Sequence, residues 1–251
     1  NKSIKDLQTN SIVQYRKFNS EYRVWQGSDF DIEIKAEEAR DKLGNFSLAE
    51  KLNERHEILP IVARKYSIEN GTLRYFNPVF SGREEYKNLK PKSRHPRIIF
   101  YLSESDDDKQ FFLNEALNYF ESDDIFVLCP NGEQIREVLA DVLALEQVAS
   151  TSQELISDPV AQREYKDRYE NSLEHELTLI STIMDSPDLN QWYWQHKKIE
   201  VTSKRYLQQV LSQILEKVYS SAPIIKNELI NRNKTSAQAN AARNKLIAVL
   251  S

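Results

Sequence analysis

Four acidic side chains fall within five positions, Glu104, Asp106, Asp107 and Asp108, directly after the apolar run Ile98–Leu102. Open α/β sheets gather their ligands at the carboxyl ends of parallel strands, and hard cations take oxygen ligands. Glu104, Asp106 and Asp107 are therefore the candidate Mg²⁺ ligands of a nuclease or phosphohydrolase. The competing reading needs no ion, because acids in the first turn of a helix complement its dipole and cap it. No second acidic cluster clearly pairs with this one, which favours the cap. Cys129 closes a second apolar run, Ile125–Cys129, ahead of Pro130-Asn131-Gly132. A thiol becomes a nucleophile only beside a base or a helix N-terminus, and a buried Cys ending a strand is the commoner case. The histidines His56, His95, His175 and His196 have no zinc spacing. Neither GxxxxGK[ST] nor GxGxxG occurs, and the chain has only five glycines. The segment therefore does not cradle a nucleotide in the P-loop manner.

A second set of candidates is basic. Trp192, Tyr193 and Trp194 stand beside Lys197, Lys198, Lys204 and Arg205, the ingredients of a single-strand stacking site. Large aromatics equally anchor a hairpin on a core, and that reading carries more weight. The C-terminal stretch with Lys226, Arg232, Lys234, Arg243 and Lys245 is the most basic region. Its three short helices resemble a helix-turn-helix bundle, without a marked recognition helix. Arg16, Lys17 and Arg23, on an N-terminal hairpin, could touch phosphate, although a wing inside an ATPase more commonly packs on a neighbour. Arg64, Lys65 and Arg74, with His56 nearby, could form a phosphate-binding edge, or could only guard strand edges against pairing. Arg16, Arg23, Lys197, Lys198, Lys204, Arg205 and Lys245 are the candidate nucleic-acid contacts.

Charge is partitioned along the chain. Residues 1–102 carry 19 basic and 14 acidic side chains, residues 103–188 carry five and 21, and residues 189–251 ten and three. Complementary packing within an assembly explains such a pattern, and so does a basic end that meets a polyanion.

Elements must position these groups. Ile98–Leu102 and Ile125–Cys129 are short, continuous apolar runs, each followed by helical spacing over Asp107–Phe120 and Asn131–Ala149. That describes parallel strands with crossover helices, a small sheet with a βαβ centre and an α/β fold. Ile61–Tyr66 and Thr72–Val79 read as further strands. Ahead of them, residues 2–9 read as a helix end and Ser11–Phe18 with Glu21–Gln26 as a hairpin, a winged-helix-like pattern. Helices are expected at Ile32–Leu43 and at Ser47–Arg55, where Ser47 and Glu50 make a capping box. Residues 152–183 read as a long acidic helix capped at Ser157-Asp158-Pro159, and Gln191–Val201 as a short strand pair. Ser203–Tyr219, Ile224–Arg232 and Ser236–Leu250 read as helices. The expected divisions are 1–32, 33–58, 59–150 and 151–251.

With 251 residues, 40% apolar and 29% charged, the chain can bury an ample core. Its single Cys excludes an intrachain disulfide and fits a cytoplasmic setting, and no run approaches the roughly 18 apolar residues that would span a bilayer. A start at Asn1 and a single Met, Met184, lead us to expect a segment of a longer protein.

Tyr22–Ile32 (YRVWQGSDFDI), Gly71–Phe76 (GTLRYF) and Asn227–Arg232 (NELINR) resemble very large bacterial P-loop ATPases. Several of these are encoded beside anti-phage defence genes of the BREX and STAND kinds. The resemblance implies an ATPase core ahead of Asn1 that uses ATP and Mg²⁺, a winged helix after it, and a downstream multidomain segment. Because the Walker motifs are missing here, it transfers no ATPase residues. What it implies is a non-catalytic regulatory or sensor segment of a cytoplasmic ATPase, coupling nucleotide state to other domains, to a protein or to nucleic acid, with no membrane. The metal-dependent enzyme and the nucleic-acid module are its rivals.

Overall fold

The structure is a computed structural model and describes residues 4, 7, 12–16, 21–24, 30–89, 95–118, 123–226, 231 and 235–250. The chain forms two compact units, one from residues 1–46 with 133–181 and the other from 47–132 with 182–251.

The second unit holds a six-stranded mixed sheet. Its strands are β3 (Ile61–Val62), β4 (Tyr75–Ser81), β5 (Arg97–Leu102), β6 (Ile125–Cys129), β7 (Gln191–Trp194) and β8 (Lys197–Ile199), in that spatial order. β4, β5 and β6 are parallel, so the α/β reading holds. β7 adds to β6 antiparallel and β8 to β7, while β3 pairs antiparallel with β4. β5 and β6 are buried almost throughout, as strands covered on both faces must be. Registers Ile99↔Phe126↔Tyr193 put those side chains on one face. There they meet Phe112 of α4 (Asp106–Asn114) and the 3-10 turn Ala116–Asn118. On the other face the rings of Phe80, Phe100 and Trp192 follow one another at 6.1 and 6.2 Å.

Pro78 sits in mid-strand without breaking the sheet. The Asn77 amide donates to Pro96 O on the β5 side, so position 78, where proline has no N–H, faces outward. Past the end of β3 the Asn53 side chain, on α2 (Leu48–Arg55), replaces a strand, donating to Phe80 O and accepting from Phe80 N at 2.9 and 3.0 Å. Ser47 caps α2 as expected.

Ile61–Tyr66 is not one strand. β3 ends at Val62 and α3 (Arg64–Asn70) follows. Ala63 and Tyr66, three apart, are the buried positions, which is helical spacing. Ala63 supplies no side-chain cap. Instead Gln208 Oε1 and Ser212 Oγ, on α8 (Lys204–Val218), accept from the Arg64 and Tyr66 amides. No local pattern announces a cap that arrives from more than 140 residues away. Gly71 ends α3 at φ +65, and a Cβ there would lie 2.1 Å from Ile225 O, so both conformation and space demand glycine. The helix expected over Asp107–Phe120 stops at Asn114, and Thr72–Val79 begins pairing only at Tyr75. Most of Ile224–Arg232 lies outside the described residues.

In the first unit β1 (Val13–Arg16) and β2 (Glu21–Val24) form the expected hairpin. Most of the helix expected at 2–9 lies outside the described residues. Asp31 caps α1 (Ile32–Lys42) by accepting from the Glu33 and Ile34 amides. α5 (Gly132–Thr151), α6 (Gln153–Ser157) and α7 (Pro159–Asp185) follow, and Asp158 caps α7. Phe30, Ile32, Ala36 and Ala39 pack against Ala144, Leu145, Val148, Leu155 and Ala161. Beside them Arg168 lies 2.8 Å from Asp141 and 3.7 Å from Glu33, and Ser172 donates to Asp141 at 2.7 Å.

Two predictions test these contacts. Arg97 donates to Asp124 through its backbone N (2.8 Å), Nε (3.0 Å) and Nη2 (2.6 Å), with the two side chains 13% and 8% exposed. Asp124→Ala is expected to cost about 3 kcal/mol in denaturant unfolding, because it strands a buried guanidinium. Burial, only partly offset by Arg168, raises the Glu33 pKa. The folded state then binds that proton more tightly, so the contribution is present below the unfolded pKa and lost as pH rises through the folded one. Glu33→Gln should gain stability relative to the parent chain between about pH 4 and about pH 7, read as a difference in urea midpoints, whereas a parallel pH dependence would contradict it.

Candidate functional site

The carboxyl ends of β4, β5 and β6 form the rim where an α/β sheet places its chemistry. Ser105 caps α4 by accepting from the Asp108 amide at 3.1 Å. Asp108 reaches back: one oxygen accepts from the Glu104 amide at 3.0 Å and the other from the Tyr101 hydroxyl at 2.6 Å. The cap is thus reciprocated one residue early, at Glu104 rather than at Ser105 itself, and a tyrosine is attached to it. Burial, together with this hydrogen bond, pushes the Tyr101 pKa far above its ordinary value. Asp107 is exposed and takes a 2.7 Å ion pair from Arg83, whose guanidinium also lies 4.4 Å from the Phe111 ring centre. Asp106 is exposed as well. On the β4 side Glu85 accepts from the Gly82 amide and from the Ser47 hydroxyl.

Between β5 and β6 the rim is tightly closed. The Ser103 amide donates to Cys129 O at 2.9 Å, and the Gly132 amide donates to Ser103 O at 3.0 Å. A Cβ on Gly132 would stand 2.5 Å from Ser103 O, so only glycine permits this approach. Cys129 is fully buried, and burial drives its thiol pKa far up, the reverse of what a nucleophile needs. Among the described residues no group of three or more His, Cys, Asp or Glu side chains is placed to hold a metal ion.

No family model matches the chain, and neither do curated proteins or solved structures.

The basic candidates sit elsewhere. Trp192 is 2% exposed and its Nε1 donates to Pro187 O at 2.7 Å, while Tyr193 is 7% exposed on the opposite face, so both rings are spent on the core. Lys197 and Lys198 are exposed on the edge strand β8, across from Trp194 and Tyr193. Lys204 pairs with Asp185, Arg205 is exposed in the first turn of α8, and Lys245 is exposed on α9 (Ala237–Leu250). Arg16 and Arg23 occupy β1 and β2, but their side chains lie outside the described residues. Among the described residues no helix is long and apolar enough to cross a membrane.

Sequence reasoning missed Tyr101 and Arg83. Tyr101 reads as one more apolar position of a strand, and Arg83 as loop charge. The only available signal was the seven-residue step from Tyr101 to Asp108, which spans one strand end and one helix turn.

Asp108→Ala is expected to cost about 2 kcal/mol, because it leaves a buried tyrosine hydroxyl and an amide without their acceptor. Asp106→Ala, at an exposed position, should fall within about 0.5 kcal/mol of the parent. Equal urea midpoints for the two variants would contradict this account.

Proposed function

We propose that this chain is a non-catalytic regulatory or sensor segment of a large cytoplasmic P-loop ATPase of the anti-phage defence kind, relaying nucleotide state to a protein or to nucleic acid. One observation carries the reading: both oxygens of Asp108 are engaged, by Tyr101 and by the Glu104 amide. This buried rim carboxylate thus ties the loop after β5 to the strand it leaves. The Asp107–Arg83 pair and the Ser103–Gly132 closure add to it. These contacts tie the ends of β5 and β6 to the start of α4, a connected set that suits a relay. The resemblance of residues 22–32, 71–76 and 227–232 to large ATPases supplies the context, with ATP and Mg²⁺ bound upstream.

The rival enzyme rests on the exposed Asp106 and Asp107, and the rival nucleic-acid module on exposed Lys197, Lys198, Arg205 and Lys245. Calorimetric titration with Mn²⁺ is expected to give no saturable heat. Heat that is lost in Asp106→Ala or Asp107→Ala would move the assignment to a metal-dependent hydrolase. In the longer protein, amide exchange at Ser103–Asp108 should differ between its ADP and ATP-analogue states, and identical exchange would refute the relay. Salt-sensitive oligonucleotide binding that weakens on charge reversal at Lys204, Arg205 and Lys245 would favour the third reading.

A further inference from the structure

Three helices of the first unit meet at one guanidinium. Arg168 on α7 lies 2.8 Å from Asp141 on α5 and 3.7 Å from Glu33 on α1, and these side chains are 11%, 23% and 20% exposed. The two carboxylates are not equivalent. Asp141 takes the short ion pair through one oxygen, and its other oxygen accepts from the Ser172 hydroxyl at 2.7 Å. Glu33 stands farther off, and its Oε1 is buried without a hydrogen-bond donor.

Arg168 thus faces two acids, and the better placed one holds it. Carboxylates that share a site disfavour a second ionisation, so a proton on Glu33 balances the seam. The dipole at the start of α1 favours a charge there, but Asp31 already caps that pole. Burial is the first cause of the raised Glu33 pKa; Arg168 opposes it, and Asp141, Asp31 and Glu37 add to it. Farther along the seam Tyr165 and Tyr169 stack at 5.7 Å, and the Tyr169 hydroxyl donates to Glu146 on α5 at 2.9 Å. Burial raises the Tyr165 pKa as well, so that hydroxyl stays neutral where a glutamate titrates. The apolar face of α1 is thin: Ile32, Ala36 and Ala39 are its buried positions. A methyl group buries little area, so the charge of one carboxylate weighs more here than it would on a leucine-rich face.

We infer that α1 docks on α5 and α7 as a proton-coupled element: Glu33 takes a proton from solvent when α1 seats beside Arg168 and Asp141, and returns it when α1 leaves. Acid therefore closes the seam and rising pH loosens it. The sign follows from linkage. A carboxyl that holds its proton more tightly when docked favours docking fully below its free pKa, and that contribution is lost as pH rises through the docked one. The seam lies within the first unit and uses no rim residue, so it stands or falls separately from the relay reading.

The test is amide hydrogen exchange on the whole chain between about pH 7 and about pH 5.5, corrected for the pH dependence of intrinsic exchange. Protection of the α1 amides is expected to rise as pH falls, by up to about tenfold per pH unit, the limit for one linked proton. Amides of β5, which report the sheet, should not follow, and this separates release of α1 from global unfolding. Glu33→Gln holds the neutral form and should give α1 high protection that stays level with pH. Asp141→Asn, a second variant, removes the competing carboxylate at Arg168 and should flatten the rise, whereas simple loosening of the helix would leave its slope intact. A pH dependence unchanged in both variants, α1 protection that falls with acid, or a rise shared equally by β5 would overturn the device.

Discussion

Asp124 takes three hydrogen bonds from one residue, and the sheet depends on that bond set. Arg97 opens β5 and Asp124 immediately precedes β6, so their pairing sets the two central strands side by side at their first residues. Parallel strands have no hairpin to set their register, and β5 is apolar on both faces, so hydrophobic alternation does not fix it either. Here a buried ion pair defines the starting point. The same guanidinium reaches Leu89 O, so the incoming loop is tied to the same spot. Removing either charge would leave the other buried and uncompensated, which makes the pair a condition of the fold even if its net contribution to stability is small.

From that starting point the polar groups at the other end of the strands follow. Ser103, Glu104 and Ser105 leave β5 where the buried sheet ends, and each exposed amide or carbonyl needs a partner. Cys129 O accepts from the Ser103 amide, Asp108 accepts from the Glu104 amide and Gly132 donates to Ser103 O, while the Tyr101 hydroxyl holds Asp108 in place. The acidic run that looked like a metal site is in large part the solution to a capping problem, because α4 begins immediately after a buried strand. Asp107 turns outward to Arg83 rather than inward to a shared ion.

Sequence made the centre of this molecule legible because period and burial agree there. Ile98–Leu102 and Ile125–Cys129 are apolar at every position, and no helix of that length would stop so soon at Ser103 or Pro130. The caps at Ser47 and Asp158 were legible for a similar reason, since each acts within three residues of itself. Three things were not. α3 takes its N-terminal acceptors from Gln208 and Ser212, far away in sequence. The WYW strand joins β6, and nothing in residues 191–194 names its neighbour. Tyr75 and His95 are 20 positions apart and stack only because β4 and β5 run parallel. In each case a long-range contact decided what local pattern could not.

The outer margin of β4 has one more consequence. Pro78 offers no donor there, and the Asn53 amide occupies both backbone groups of Phe80. At the far side, β8 is three residues long and carries two exposed lysines. A foreign strand approaching either margin meets a plug or like charge instead of an open ladder. Edge-to-edge pairing, the route by which exposed strands seed fibres, is thus hindered at these two margins of the described sheet.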